Sequence, residues 1–375
     1  MIGLREQFRH GVDHTSIRHH FEPGSCPDVT RAAAFAVELE QYVVQEILDG
    51  ADGLASAILS LHQHQEFKGF IQDNLSRLGR IRVYSRDHVN FLLAQNNPGR
   101  ANRSSGAGRT EPPILLRLKE NHAPFCFLCE RHQKWQQRGL QVSYRRRLAD
   151  MLFRFCCNPF PFGRYHTTVV SDAHLPQQWE DGDDLERMLA AMLDLGMQLP
   201  GWVVIYNGVG AGATIRYHRH FHLLKIESSQ EPFPLQHAAS EKAKSVATSS
   251  PLPIVGGRDY PVTAIRLRGA SNVILVHALR LALSWHNILP GAATENVAVV
   301  WEESGLSLYY IPRDNYCRAP GFSGEIAGLE VLGEVVFSAE SDLLWLGGGR
   351  GNYEKLREML AAVSPLRARS LLEDL

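Results

Sequence analysis

The chain has 375 residues, 44% hydrophobic and 21% charged, which fits a soluble globular protein of two packed units plus an extension. Its 39 basic and 40 acidic residues leave a net charge of −1, so no overall basic field points to nucleic acid or an anionic membrane, while a locally positive pocket for a small phosphorylated ligand stays open. Six cysteines in so long a chain make no disulfide framework, the N-terminus carries no apolar core of signal-peptide length, and no run of about 18 apolar residues occurs; a reducing cytoplasm and no membrane span are expected.

Residues 1–26 hold His10, His14, His19 and His20 and read as an irregular arm. Apolar positions Ala33, Val37, Val43, Val44, Ile47 and Leu48 recur at helical spacing through 28–61. Residues 81–84 predict a short strand, and the Asn, Gly, Pro, Arg and Ser of 96–111 a loop. The run Tyr144-Arg145-Arg146-Arg147 reads as a solvated helix face. Mixed α/β structure follows: a strand at 167–170, a helix capped by Asp183, a strand at 202–206, a glycine-rich turn at 208–212 and a strand at 218–226. Residues 228–258 are rich in Ser, Ala, Pro and Gly and read as a linker or mobile insertion. Beyond it, extended 262–267, a helix from a Ser271 cap to Trp285, and strands at 296–301 and 306–311 repeat the order strand, helix, strand, strand; a last amphipathic helix spans 352–363. Trp285, Trp301 and Trp345 are expected in the core. A duplicated fold accounts for the repeat, with the second copy structural or supplying substrate contacts.

Two segments carry chemistry. Cys126 and Cys129, spaced C-x-x-C, can bite one zinc ion at a turn, with His174 or His218 among the candidates to complete four ligands; the alternative is two buried apolar thiols. In Tyr217-His218-Arg219-His220-Phe221-His222, the three histidines share one face of a strand because side-chain direction has period two. The turn just before them permits close backbone approach to an anion. A neutral imidazole nitrogen can attack phosphorus while the other nitrogen bonds a carbonyl; alternating histidines also suit a metal site.

The His run resembles the H-x-H-x-H signature of the histidine-triad superfamily, and more closely the galactose-1-phosphate uridylyltransferase and diadenosine tetraphosphate phosphorylase branch, nearest to proteins carrying the DUF4922 domain. Four further segments are similar in the same order: Asn97-Pro98-Gly99-Arg100 with Ser104-Ser105; Cys126-Phe127-Leu128-Cys129 with Gln137-Arg138-Gly139-Leu140; Asn158-Pro159-Phe160-Pro161 with His166 and His174; and Tyr310-Ile311-Pro312-Arg313 with 333–338. The resemblance covers roughly 80–365. It implies an α+β fold of tandem HIT-like half-barrels, antiparallel sheets with flanking helices, plus an N-terminal helical extension. The expected divisions are 1–79 for the arm and extension, 80–227 for the first HIT-like domain with the zinc and the His run, 228–260 for the linker or insertion, and 261–375 for the second HIT-like domain.

Carried over residue by residue, the resemblance implies a structural zinc on Cys126, Cys129, His174 and His218, with His220 as nucleophile and His222 beside it as the second catalytic histidine. Arg100, Ser104, Ser105, Asn158, Asn207, Gly212 and Thr214 are the implied nucleotide-binding residues. The implied reaction is nucleotidyl transfer or phosphorolysis of a nucleoside diphosphate sugar or dinucleoside polyphosphate, through nucleotidyl-His220, to a phosphate or sugar phosphate. Members of this branch occur as dimers and monomers, so a homodimer is one expected state. The sequence departs from the branch at three places: His222 stands where it commonly has Gln, Tyr217 where it commonly has Asp, and Tyr316-Cys317 replaces a His in the segment after Arg313. His222 is typical of hydrolytic relatives, so a nucleotide hydrolase is one alternative; a nucleotide-binding module with little turnover and a zinc hydrolase are the others.

Overall fold

A computed structural model describes residues 29–71, 75–105, 126, 128–130, 141–226, 232–245, 254–255, 260–303, 305–319, 322, 324–338 and 352–372. The N-terminal arm and Trp345 lie outside them. The elements in chain order are α1 (Val29–Asp49), α2 (Gly53–Phe67), β1 (Gly79–Tyr84), β2 (Phe91–Asn96), β3 (Ser143–Leu148), β4 (Met151–Cys157), β5 (Thr167–Ser171), α3 (Gly182–Gln198), β6 (Trp202–Asn207), β7 (His220–Lys225), α4 (Pro234–Ser245), β8 (Ile254–Val255), β9 (Ala264–Arg268), α5 (Ser271–Ile288), β10 (Ala293–Glu302), β11 (Gly305–Asp314), α6 (Gly328–Val331), β12 (Glu334–Phe337) and α7 (Asn352–Ala361). No helix among the described residues is long and apolar enough to cross a membrane.

Nine strands form one antiparallel sheet in the order β3-β4-β5-β7-β6-β10-β11-β9-β8. The repeat read in the sequence is visible in that order. β5-β7-β6 on one side of the β6/β10 seam is mirrored by β9-β11-β10 on the other, with α3 and α5 as the equivalent helices. Ile205 opposite Ala298 is the central pair of the seam. Stepping outward, Ile205 pairs with His222 and then Thr168, while Ala298 pairs with Tyr309 and then Arg266. Tyr309 and Ser307 therefore occupy in the second half the places of His222 and His220 in the first.

The strands alternate between two apolar layers because both sheet faces are covered. One face packs Val169, Val204, Tyr206, Phe221, Val299 and Leu308 against α2, α3 and α5. The opposite face packs Val203, Ile205, Ala298 and Ile311 against β2, α4, β12 and α7, where β2 pairs antiparallel with β1 and parallel with β12. The histidine run looks onto this second face.

The structure corrects four local expectations. The arginine run is a strand, β3, not a helix face: Tyr144 is buried, and the outer edge is satisfied by α1, whose Gln45 accepts the Arg145 N–H at 2.8 Å and returns a bond to its carbonyl at 3.0 Å. A charged run thus sits on an edge that glutamines cover. The cap of α3 is Asp181, which accepts the Asp184 N–H at 2.8 Å, rather than Asp183, which is the second helical residue. Ser271 is the first residue of α5, whose N-cap is Ala270. Trp301 is 39% exposed, its indole N–H bonded to the Gly196 carbonyl, because it falls at the outward end of β10, whereas Trp285 is in the core. Within 228–260, α4 buries Leu235 and Ala239 in the second layer.

Candidate active site

Strand β7 begins at His220, so His218 lies just before it, with its ring at the two thiols. Its Nδ1 lies 3.3 Å from Cys126 Sγ and 3.6 Å from Cys129 Sγ, and His174 Nδ1 lies 3.0 Å from Cys129 Sγ. The four donor atoms all fall within 4.8 Å of one another. A tetrahedral zinc with Zn–S about 2.3 Å and Zn–N about 2.05 Å sets sulfur and nitrogen roughly 3.5 Å apart, so two soft thiols and two imidazoles here fit that ion. His218 Nε2 donates to the Ser171 carbonyl at 2.8 Å, which fixes the tautomer that leaves Nδ1 free to ligate. Burial holds the His218 imidazole neutral, with its pKa down to about 3. Around the cluster, Arg154 donates to the Leu128 carbonyl at 2.7 Å and pairs with Asp172 at 3.2 Å.

His220 is 3% exposed. Its Nδ1 donates to the His218 carbonyl at 2.8 Å, which places the lone pair on Nε2. Burial lowers its pKa, against the pull of that carbonyl, and so keeps the ring neutral and nucleophilic. The strand ladder between β6 and β7 ends at Ile205 and His222, and two residues further on a side chain that the sequence did not single out bridges Asn207 and His220. Gln177, wholly buried, accepts the His220 N–H at 2.8 Å and donates to the carbonyls of His220 at 3.1 Å and Asn207 at 2.8 Å. On the opposite face, Arg219 is held by both carboxylate oxygens of Asp184, at 2.5 and 2.7 Å. Burial alone would raise the Asp184 carboxyl; these bonds bring it below its ordinary value. The backbone of His220 is thereby fixed on both sides.

His222 is half-buried, its ring at right angles to that of His220 with centroids 5.2 Å apart. Its Nδ1 lies 3.0 Å from Nε2 of the wholly buried His166, whose ring packs on Phe162 at 3.9 Å. Arg100 lies over the other reach of Phe162, 4.6 Å from its centroid, and donates to the Phe160 carbonyl at 2.7 Å. Burial first, then the charges of His220 and Arg100, push the His222 pKa well down.

The glycine turn is built against the second half of the chain. Gly208 donates to the Glu295 carbonyl at 2.8 Å, and a Cβ on it would sit 2.2 Å from Thr294 Oγ1. Gly212 has φ +96°, and a Cβ there would meet Ala327 Cα at 2.5 Å. Both positions demand glycine. Asn207 Oδ1 accepts from Asn296 Nδ2 at 2.9 Å and from the Gly328 N–H at 2.7 Å. Asn296 also donates to the Ala211 carbonyl at 2.8 Å and is held by the buried Arg313 at 2.5 Å. Asn296, Arg313 and Gly328 are thus structural members of the site contributed by the second repeat. At the positions equivalent to His220 and His222, Ser307 and Tyr309 bond Glu302, Ser307 at 2.7 Å, and Arg266 of the neighbouring strand β9 joins the same carboxylate.

Of the implied residues, the structure gathers Cys126, Cys129, His174 and His218 into one cluster and places His220, His222, Asn207 and Gly212 together beside it. Arg100 flanks His222. Asn158 lies in the hairpin after β4, its Oδ1 accepting the Phe160 N–H at 2.9 Å, and lines a cavity of about 390 Å³ with His62, Glu66 and His166. Thr214 is exposed beyond the turn. The side chains of Ser104 and Ser105, in a short 3-10 segment, lie outside the described ones.

The family described as "Domain of unknown function (DUF4922)" matches residues 59–225, which bears out the likeness read from the motifs. The chain is similar in fold to yeast Ap4A phosphorylase Apa2 in complex with AMP, at 13% identity and a TM-score of 0.51, covering 81% of this chain and 96% of that one. Against the same yeast enzyme in complex with Ap4A the identity is 13% and the TM-score 0.51, with 81% and 97% covered. No curated protein matches the chain.

Proposed function

We propose that the chain is a nucleotidyltransferase of the phosphorylase type, acting on a dinucleoside polyphosphate or a nucleoside diphosphate sugar through a nucleotidyl-His220 intermediate. The observation that carries this reading is the state of His220: a buried, neutral imidazole with Nδ1 bonded to the His218 carbonyl and its strand clamped by Gln177. That arrangement gives Nε2 a fixed lone pair, the requirement for attack at phosphorus. Nε2 attacks the α-phosphorus of the donor, the bond to the bridging oxygen breaks, and the leaving phosphate departs as an anion. A second oxygen nucleophile then displaces His220. The likeness in fold to Apa2, solved with AMP and with Ap4A, supports a dinucleoside polyphosphate as donor.

In this reading Cys126, Cys129, His174 and His218 hold a structural zinc. Four protein ligands leave no open position for water, so the ion's contribution is to anchor the segment entering β7. This separates the reading from a zinc hydrolase, since His220 and His222 bond the His218 carbonyl and His166 rather than joining the cluster. Phosphate-dependent cleavage of diadenosine tetraphosphate and of ADP-, GDP- and UDP-sugars, followed by chromatography, tests it. His220→Ala should lose at least about 10³-fold in rate with its zinc retained. Undiminished cleavage by that variant would refute the assignment.

A further inference from the structure

The third histidine of the run raises the choice between transfer and hydrolysis, and its neighbour bears on it. Resting on the nucleotidyl-His220 reading, we infer that His166 is a positioning residue that holds the His222 proton on Nε2, and that this makes an anionic phosphate oxygen, rather than water, the group that takes the nucleotide from His220.

His166 Nε2 and His222 Nδ1, 3.0 Å apart, share one proton. His166 is wholly buried and packed on Phe162, and its Nδ1 has no hydrogen-bond partner. Two arrangements of neutral rings are open. If His222 Nδ1 supplied the shared proton, His166 would carry its own on Nδ1, leaving a buried N–H without a partner. If His166 Nε2 supplies it, Nδ1 of His166 is a bare lone pair. Buried proteins tolerate an unsatisfied acceptor more readily than an unsatisfied N–H, so the second arrangement prevails. A charged ring is opposed at both positions by burial and by Arg100.

His222 therefore carries its proton on Nε2, on the ring beside His220. An N–H there can donate to a non-bridging oxygen of a phosphoryl group on His220, and it has no lone pair with which to take a proton. Attack by water needs a base. Among the described residues the groups hydrogen-bonded to His220 and Asn207 are the side-chain amides of Gln177 and Asn296, the His218 carbonyl and the Gly328 N–H, none of which is a base. Glu330 on α6 is buried and its Oε2 caps its own helix by accepting the Ala327 N–H at 3.0 Å. An inorganic phosphate needs no base, because it arrives with an oxyanion. Its oxygen bonds to the α-phosphorus, the bond from phosphorus to His220 Nε2 breaks with the electron pair returning to nitrogen, and a nucleoside diphosphate leaves without any proton transfer.

The test is to form the adduct from diadenosine tetraphosphate, remove excess donor, and chase with 1 mM inorganic phosphate or with buffer alone, reading ADP against AMP. The wild type should give predominantly ADP. His166→Phe should lower the ADP-to-AMP ratio by about tenfold or more, and His166→Gln, whose amide nitrogen restores a donor to His222, should recover it. An unchanged ratio in His166→Phe with a normal adduct overturns the inference alone. Failure of the wild type to form any adduct overturns the covalent reading and the inference with it. In the wild-type protein, ¹⁵N-coupled imidazole spectra read the tautomer directly, and a His222 bearing its proton on Nδ1 overturns the inference whether or not the variants fold.

Discussion

Replacing Gln177 by Leu removes the clamp on the nucleophile while keeping most of its volume. Three hydrogen bonds disappear: one from the His220 N–H and two to the carbonyls of His220 and Asn207. At a net of about 1 kcal/mol each, with a further cost because the three main-chain groups stay buried without partners, the loss of stability comes to about 4 kcal/mol. The chemical effect adds to this. The β6/β7 ladder stops at Ile205 and His222, so without Gln177 nothing of the strand pairing holds the His220 backbone toward Asn207. A displacement near 1 Å should slow adduct formation by about 100-fold. Urea unfolding followed by circular dichroism, with metal-loaded protein, reads the first effect; quenched-flow formation of the nucleotidyl adduct reads the second. A Gln177→Leu protein within about 1 kcal/mol of wild type and forming adduct at the normal rate would refute the clamp.

Three other outcomes follow from the geometry. Metal analysis of the purified protein should find one zinc per chain, lost in Cys126→Ser and His174→Ala and kept in His220→Ala, because His220 is outside the donor set; loss of zinc in His220→Ala would contradict the division of the His run. Gly212→Ala should cost about 2–4 kcal/mol and abolish transfer, since the new Cβ meets Ala327 at 2.4–2.5 Å from a backbone at φ +96°; a melt unchanged from wild type would contradict the packing of the turn. Burial raises the Glu330 carboxyl to about 7. The folded protein then holds a proton that the unfolded chain releases near pH 4.5, so this group's contribution is intact below 4.5 and is lost as pH rises through 7, a fall of about 3 kcal/mol. Glu330→Gln should flatten that part of the stability–pH curve, and an identical slope in the variant would refute the buried neutral carboxyl.

Much of the site was legible because its elements are local. Alternation puts His220 and His222 on one face, C-x-x-C spacing brings two thiols together, and the strand–helix–strand–strand order occurs twice within continuous stretches. What the sequence concealed depends on contacts between distant segments. Gln177 is one of two adjacent glutamines in a connection between β5 and α3, without periodicity or motif around it, and its role exists only because the β6/β7 ladder opens there. Asn296 and Arg313 reach Asn207 through the seam between the two halves, which no local pattern reveals. The arginine run looked solvated because its charges were read alone; the glutamines of α1 that complete its edge lie about a hundred positions earlier. His166 was legible as part of a motif, but its bond to His222 needed the β5/β7 register.

The central claim is the covalent bond to His220, and intact mass spectrometry of wild type and His220→Ala after brief incubation with diadenosine tetraphosphate and the nucleotide sugars tests it most directly. The account predicts an acid-labile increase of one nucleoside monophosphate in the wild type, absent from the variant, with the mass identifying the base. An adduct of the same mass on His220→Ala, or donor held unchanged by the wild type without any adduct, would contradict it.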